Sequence, residues 1–118
     1  MTPDYPQQGE IWNASFNEGW ERPAPVVSRN ELNRGRLLLV VPCTSSQVEE
    51  RAAYPNHVLI PAGTGGLTKD TIAQTHLIQP IKVSYLERKL GSLNNEQLAE
   101  VLLAIAWTID LFDTAHTP

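Results

Sequence analysis

The chain is poor in cysteine. Cys43 stands alone in 118 residues, so no intramolecular disulfide can form and no cysteine-rich zinc site can be built. Basic residues are also scarce, with Lys+Arg 9 against Asp+Glu 13 and a formal net charge of -4. An acidic balance argues against tight, non-specific grip on long duplexes, although a local basic groove still works through its own field. No apolar run is long enough to span a membrane, and "MTPDYPQQGE" has neither the basic start nor the apolar stretch of a secretory signal. A cytoplasmic location without membrane association is the default expectation. Repeats, low-complexity tracts and linkers are absent, so residues 1–118 are expected to form one domain around one core, with 1–8 and 113–118 as loosely held ends.

What remains is a normal globular composition, 42% hydrophobic and 19% charged, arranged as strands first and helices last. "GEIWNASFN" alternates as a strand should, and "APVVS" follows the loop "EGWERP" as a second strand starting near Pro25. "RNELNRG" reads as a turn or short helical link. "RLLLVVPCTS" is the strongest strand signal, and its continuous apolar run predicts cover on both faces. After a polar loop, "QVEERAAYPN", come a strand "HVLIPA", a turn "GTGG" and a long strand "TIAQTHLIQPIKV" broken near Pro80. "SYLERKLG" reads as a helix capped by Ser84 and stopped by Gly91. "NNEQLAEVLLAIAWTIDLF" is the clearest helix. Asn94 caps it with Gln97 in the capping-box position, and Leu93 can staple onto Leu98. Its apolar residues form two stripes, Leu98–Val101–Leu102–Ile105–Ile109–Phe112 and Leu103–Trp107–Leu111. A helix so broadly apolar points to a subunit interface. The order predicts an α+β, mainly β protein, a small curved antiparallel sheet or barrel with helices packed on it.

Several phrases invite chemistry. "PAGTGGLTKDT" is glycine-rich but lacks a Gly-Lys-Ser/Thr ending and a following helix, so it reads as a hairpin turn rather than a phosphate loop. His57 and His76 fall in strand-like segments with no further ligands at metal spacing, which predicts no metal site and no metal cofactor. Cys43 reads as a small hydrophobe unless Arg22 or His76 approaches to lower its pKa. Arg22 taken alone is a solvated charge or a partner for Glu21. Thr44, Ser45 and Ser46 alone are a polar strand end. Together they offer what phosphoryl chemistry on RNA needs: a guanidinium to hold phosphate and stabilise developing charge, and hydroxyls to donate to its oxygens.

Five phrases, in order from Gln8 to Leu111, resemble the MazF/PemK toxins of bacterial toxin–antitoxin systems. They are "GEIWNASF", "ERPAPVVS", "LVVPCTSS", "PNHVLIPAGTGGL" and "YLERKLGSLNNEQLAEVLLAI". The resemblance implies an SH3-like antiparallel barrel with helices, a homodimer, and a small cognate antitoxin as partner. It also implies cofactor-free, metal-independent cleavage of single-stranded RNA to a 2′,3′-cyclic phosphate and a 5′-hydroxyl. By motif, the family's catalytic Arg and Thr fall on Arg22 and Thr44. Ser45, Ser46, Glu21, Gln74 and Trp20, which flank the site positions in sequence, are the expected RNA contacts. The acidic residue that many members carry in the last long strand is missing. One register puts His76 there and a two-residue shift puts Ile78, so His76 is the expected substitute for proton transfer. The loop before Arg22 is short for the family. Two alternatives stand beside the ribonuclease: a catalytically weakened member, and a CcdB-like toxin that binds a protein target such as DNA gyrase.

Overall fold

The computed structural model describes residues 3–17 and 19–111. Strand β1 (Glu10–Asn17) is the centre of a three-stranded antiparallel sheet, flanked by β2 (Trp20–Pro25) and β8 (Leu86–Ser92). Both faces of β1 are used. Ile11 enters a core with Val41, Val58, Ile60 and Val101, while Ala14 enters a second core with Ala24, Val26, Leu38 and Val40. A short helix α1 (Asn30–Asn33) leads to β3 (Leu37–Val40), which pairs with β7 (Gln79–Lys82). The chain then passes Pro42 into the two-residue β4 (Cys43–Thr44), which pairs with β6 (Thr71–Gln74); β6 also pairs with β5 (His57–Ile60). Together these form curved antiparallel sheets without a closed barrel, with helix α3 (Asn95–Thr108) laid against β5 and the turn that follows β6.

The start of α3 forms as its sequence predicts. The Gln97 N–H donates to Asn94 Oδ1 at 2.7 Å and the Asn94 N–H donates to Gln97 Oε1 at 3.1 Å, which satisfies two orphan donors at once. Val101, Ala104 and Ala106 are buried, and Leu98, Leu102 and Ile105 pack beside them. The helix ends at Thr108, whose hydroxyl turns back to Ala104 O at 2.8 Å. Ile109 is therefore exposed rather than in the stripe, Leu103, Trp107 and Leu111 are exposed too, and Phe112 and the expected loose end 113–118 lie outside the described residues. At the other end, residues 1–2 also lie outside them, but residues 5–8 are held. Gln8 N–H donates to Asn30 Oδ1 at 2.6 Å, its amide reaches Val27 O at 2.8 Å, and Pro6 is buried.

Several elements differ from expectation, each for a visible reason. The second strand starts at Trp20, so "WERP" is strand rather than loop. Val26 donates to Glu10 O and accepts from Gly9 N–H. By alternation Pro25 and Pro23 then turn their ring nitrogens away from β1 and cost that ladder nothing. The Leu-rich β3 is covered on one face only, since Leu37 and Leu39 are exposed while Leu38 and Val40 are buried. "QVEERAAYPN" contains one helical turn, α2 (Val48–Arg51). The long strand breaks at a 3₁₀ turn, Thr75–Leu77, rather than at Pro80, which sits inside the edge strand β7. Thr75 draws the chain inward, its hydroxyl bonded to Asn56 O at 2.6 Å and Thr108 Oγ1 at 2.8 Å. "SYLERKLG" is not a helix: a 3₁₀ turn at Val83–Tyr85 feeds β8, whose Glu87, Arg88 and Lys89 stay exposed along the free edge of the sheet. Charged side chains on an edge strand discourage pairing with another chain.

Candidate functional site

Arg22 stands opposite Ala14 at the border of the second core, half-buried, with Trp20 and Ala24 on its face of β2. Its guanidinium lies 5.4 Å from the centroid of the Trp20 ring, and that ring meets Phe16 across the hairpin with centroids 5.3 Å apart. A cation held over an aromatic face keeps its N–H groups available to an anion. Glu21 does not neutralise it. Adjacent strand residues face opposite sides, and Glu21 binds Asn13 Nδ2 at 2.7 Å and a second carboxyl, that of Glu87. Hydrogen bonding to Glu21, with smaller effects of desolvation and like charge, pushes the Glu87 carboxyl above the usual range. Lys89 pairs with Glu10 rather than with Glu21.

Thr44 ends β4 opposite Ile72 and is buried. Its Oγ1 accepts the Ser46 N–H at 3.2 Å and lies 3.1 Å from Ser46 Oγ. This hydroxyl-mediated turn presents Ser45 and Ser46 to solvent. β2 and β4 are neighbours, and their relation follows from the ladder next to them. Val26 bridges Val40, the Val27 N–H donates to Leu39 O at 2.9 Å, and the Val41 N–H donates to Pro25 O at 3.1 Å. Carried on four residues from Val26–Val40, this register sets Arg22 across from Thr44. Past Pro25 and Val41 the next residue on that edge of β2 is Pro23, which has no N–H to donate. The border between these neighbouring strands, the seam, thus carries a guanidinium on β2 and a hydroxyl turn on β4.

The other expected residues fall elsewhere. Gln74 lies on β6 opposite His57, and its N–H donates to Pro42 O at 3.2 Å. His76 is in the 3₁₀ turn, exposed, four residues beyond the Ile72 that faces Thr44. Its described partners are Asn56, whose Nδ2 donates to His76 Nδ1 at 2.8 Å, and the His57 ring at 5.5 Å. Partial desolvation of the ring first, then the neighbouring His57 and Arg51, hold its pKa below the ordinary value. His57 donates from Nδ1 to Arg51 O at 2.7 Å and belongs to the same cluster. Cys43 is a core residue, with its Sγ 3.6 Å from Val41 O, and burial pushes its thiol far above the ordinary value, the opposite of an activated nucleophile. The glycine-rich segment is the connection of the β5–β6 hairpin, as expected. Sequence reasoning missed Phe16 as part of the Arg22 setting. Its spacing across the short hairpin from Trp20 was the available signal.

A small curved antiparallel sheet with a closing helix, carrying a cation and a hydroxyl turn on facing strands, defines the class. The PemK-like, MazF-like toxin model of type II toxin–antitoxin systems matches residues 7–109, and the chain belongs to that family. It is 33% identical to endoribonuclease MazF9 of Mycobacterium tuberculosis (strain ATCC 25618 / H37Rv), over 90% of this chain and 98% of the relative. Among solved structures, an endoribonuclease in complex with its cognate antitoxin from a mycobacterial species superposes with a TM-score of 0.77, at 20% identity over 90% of this chain and 96% of that one. The M. tuberculosis toxin MazF-mt6 gives 0.74 at 22% identity, over 86% and 96%. These likenesses establish the fold, and they do not favour the gyrase-poison alternative.

Proposed function

We propose that the chain is the toxin of a type II toxin–antitoxin pair and acts as an endoribonuclease on single-stranded RNA. The observation that carries this reading is the register that sets Arg22 across from Thr44. The RNA's own 2′-oxygen attacks the adjacent phosphorus and loses its proton. The P–O5′ bond breaks, the 5′-oxygen gains a proton, and a 2′,3′-cyclic phosphate remains. Arg22 holds the phosphate and meets the charge that grows on its oxygens, while the Thr44–Ser46 turn supplies hydroxyl donors. Trp20 and Phe16 place the guanidinium. Ser45 is the RNA contact beside the phosphate and Gln74 a contact farther along β6, while the bond of Glu21 to Asn13 and the contacts of His76 with Asn56 and His57 support roles for both away from the phosphate.

A cognate antitoxin and a homodimer complete the proposal. The apolar residues left exposed, Leu37 and Leu39 on β3, Leu32 beside them, and Leu103 with Trp107 on α3, support burial against other chains. Purified protein with a chelator present is expected to cut a single-stranded RNA pool, and Arg22→Ala to lose about 100-fold or more, the scale for removing one stabiliser of developing charge. Folded wild-type protein that is inert on a broad pool would falsify the ribonuclease reading.

A further inference from the structure

On the β8 side of β1, the N-terminal segment borders an open pocket of about 370 Å³. Trp12 stands two residues, about 7 Å, along β1 from the Ala14 that faces Arg22, and the space lies on the β8 side of β1 whereas Arg22 lies on the β2 side. Its size is that of a pocket for a small ligand or one anchoring side chain. Tyr5, Trp12 and Leu86 give it apolar walls, and Asp4, Glu10 and Lys89 line it as well. Glu10 is built in rather than incidental. Its carboxylate accepts the Gln7 N–H at 3.0 Å and the Trp12 indole N–H at 3.1 Å, and pairs with Lys89 at 3.0 Å. The indole is thereby fixed in orientation.

The lining carries two carboxylates against one ammonium. Glu10 and Lys89 neutralise each other, which leaves Asp4 as the charge left over in the lining, with Arg34 on the Tyr5 ring outside that lining, so the cavity offers a phosphate no free cation of its own. It does suit a cation, because aromatic faces attract one and an alkyl stem can lie along apolar walls. The chain already uses this contact on the same ring: the Arg34 guanidinium lies 5.4 Å from the Tyr5 centroid. Lys82 does likewise over Tyr85, at 5.8 Å. We propose that the cavity is a docking site for a lysine or arginine side chain presented by an extended segment of a protein partner, with its stem over Leu86 and its charge between the aromatic rings and Asp4.

The test is a titration of the full chain, following the Trp12 indole N–H resonance by NMR, with acetyl-Gly-Arg-Gly-amide, acetyl-Gly-Glu-Gly-amide and adenosine 5′-monophosphate as separate probes. The arginine peptide is expected to shift the resonance saturably and the other two to leave it in place. Tyr5→Ala should weaken the arginine peptide about fivefold, the scale of one cation–aromatic contact. Asp4→Asn, at an exposed position where folding is not at risk, should weaken it as well. An equal response to the acidic peptide or to the nucleotide, or no response to millimolar arginine peptide, overturns the proposal. Both variants should cut RNA like the wild type, so failure of this site and failure of the ribonuclease reading are separate results.

Discussion

Gly63 and Gly66 lie in the same connection between β5 and β6, both with left-handed backbone, φ +88 and +80. Their surroundings differ. A Cβ on Gly63 would meet nothing within 4 Å, whereas a Cβ on Gly66 would overlap the carbonyl of Leu90 in β8. Gly63→Ala therefore costs only the left-handed conformation, about 1 kcal/mol. Gly66→Ala costs the same plus about 1–3 kcal/mol for forcing apart two backbones that cannot swing aside as a side chain can. For a domain of this size, each kcal/mol lowers the melting temperature by about 3–6 °C. Thermal unfolding followed by circular dichroism should then show Gly63→Ala about 4 °C below wild type and Gly66→Ala about 10 °C below. Equal melting temperatures for the two variants would refute the claim that this connection is seated against β8 by close backbone approach. The loop leads directly into β6, whose Ile72 pairs with Thr44, so the same contact steadies one wall of the seam.

Four further outcomes follow from the geometry. His76 is held neutral in the fold, so its contribution to stability is complete above its ordinary value of 6.5 and is lost as pH falls through the lowered folded-state value. Wild type should lose more melting temperature than His76→Gln between about pH 7 and about pH 5, and parallel profiles would contradict the environment described for His76. The same variant should retain RNA cleavage near the wild-type rate at neutral pH, whereas a loss comparable with Arg22→Ala would restore His76 to the catalytic site. Cys43 should resist an aromatic disulfide reagent in native protein and react fully in denaturant. Cys43→Ser should cost about 1–3 kcal/mol, because a hydroxyl replaces a buried thiol.

The parts legible in the sequence were those where local chemistry and burial agree. The alternation of "EIWNASFN", the Asn94–Gln97 capping box and the glycine connection each formed because no tertiary contact competed with them. The misread parts are those where pairing overruled pattern. "SYLERKLG" has a cap residue, helical spacing of Leu86 and Leu90 and basic residues near its end, yet the free edge of β1 captures it as β8, with register shifts at Ile11/Trp12 and Asn13/Ala14. The turn at Thr75–Leu77 follows from one hydroxyl finding partners in Asn56 and in α3, which no local signal announces. At the site, motif order placed Arg22 and Thr44 on candidate strands. Their opposition depends on which edge Pro23 and Pro25 turn away from β1, a matter of sheet register invisible in sequence. His76 entered the expected site through the register of the resemblance, which puts it where many members carry an acid. With the break at Thr75, it turns toward Asn56 and His57.

The measurement that bears most directly on the seam is a double-mutant cycle on RNA cleavage with Arg22→Ala, Thr44→Val and the pair, each with its melting temperature recorded. If both residues act on one phosphate, the pair loses less than the sum of the single losses, with a coupling of about 0.5–3 kcal/mol in the activation free energy. Losses that add to within about 0.5 kcal/mol, or an Arg22→Ala enzyme that cuts at the wild-type rate, would contradict the account.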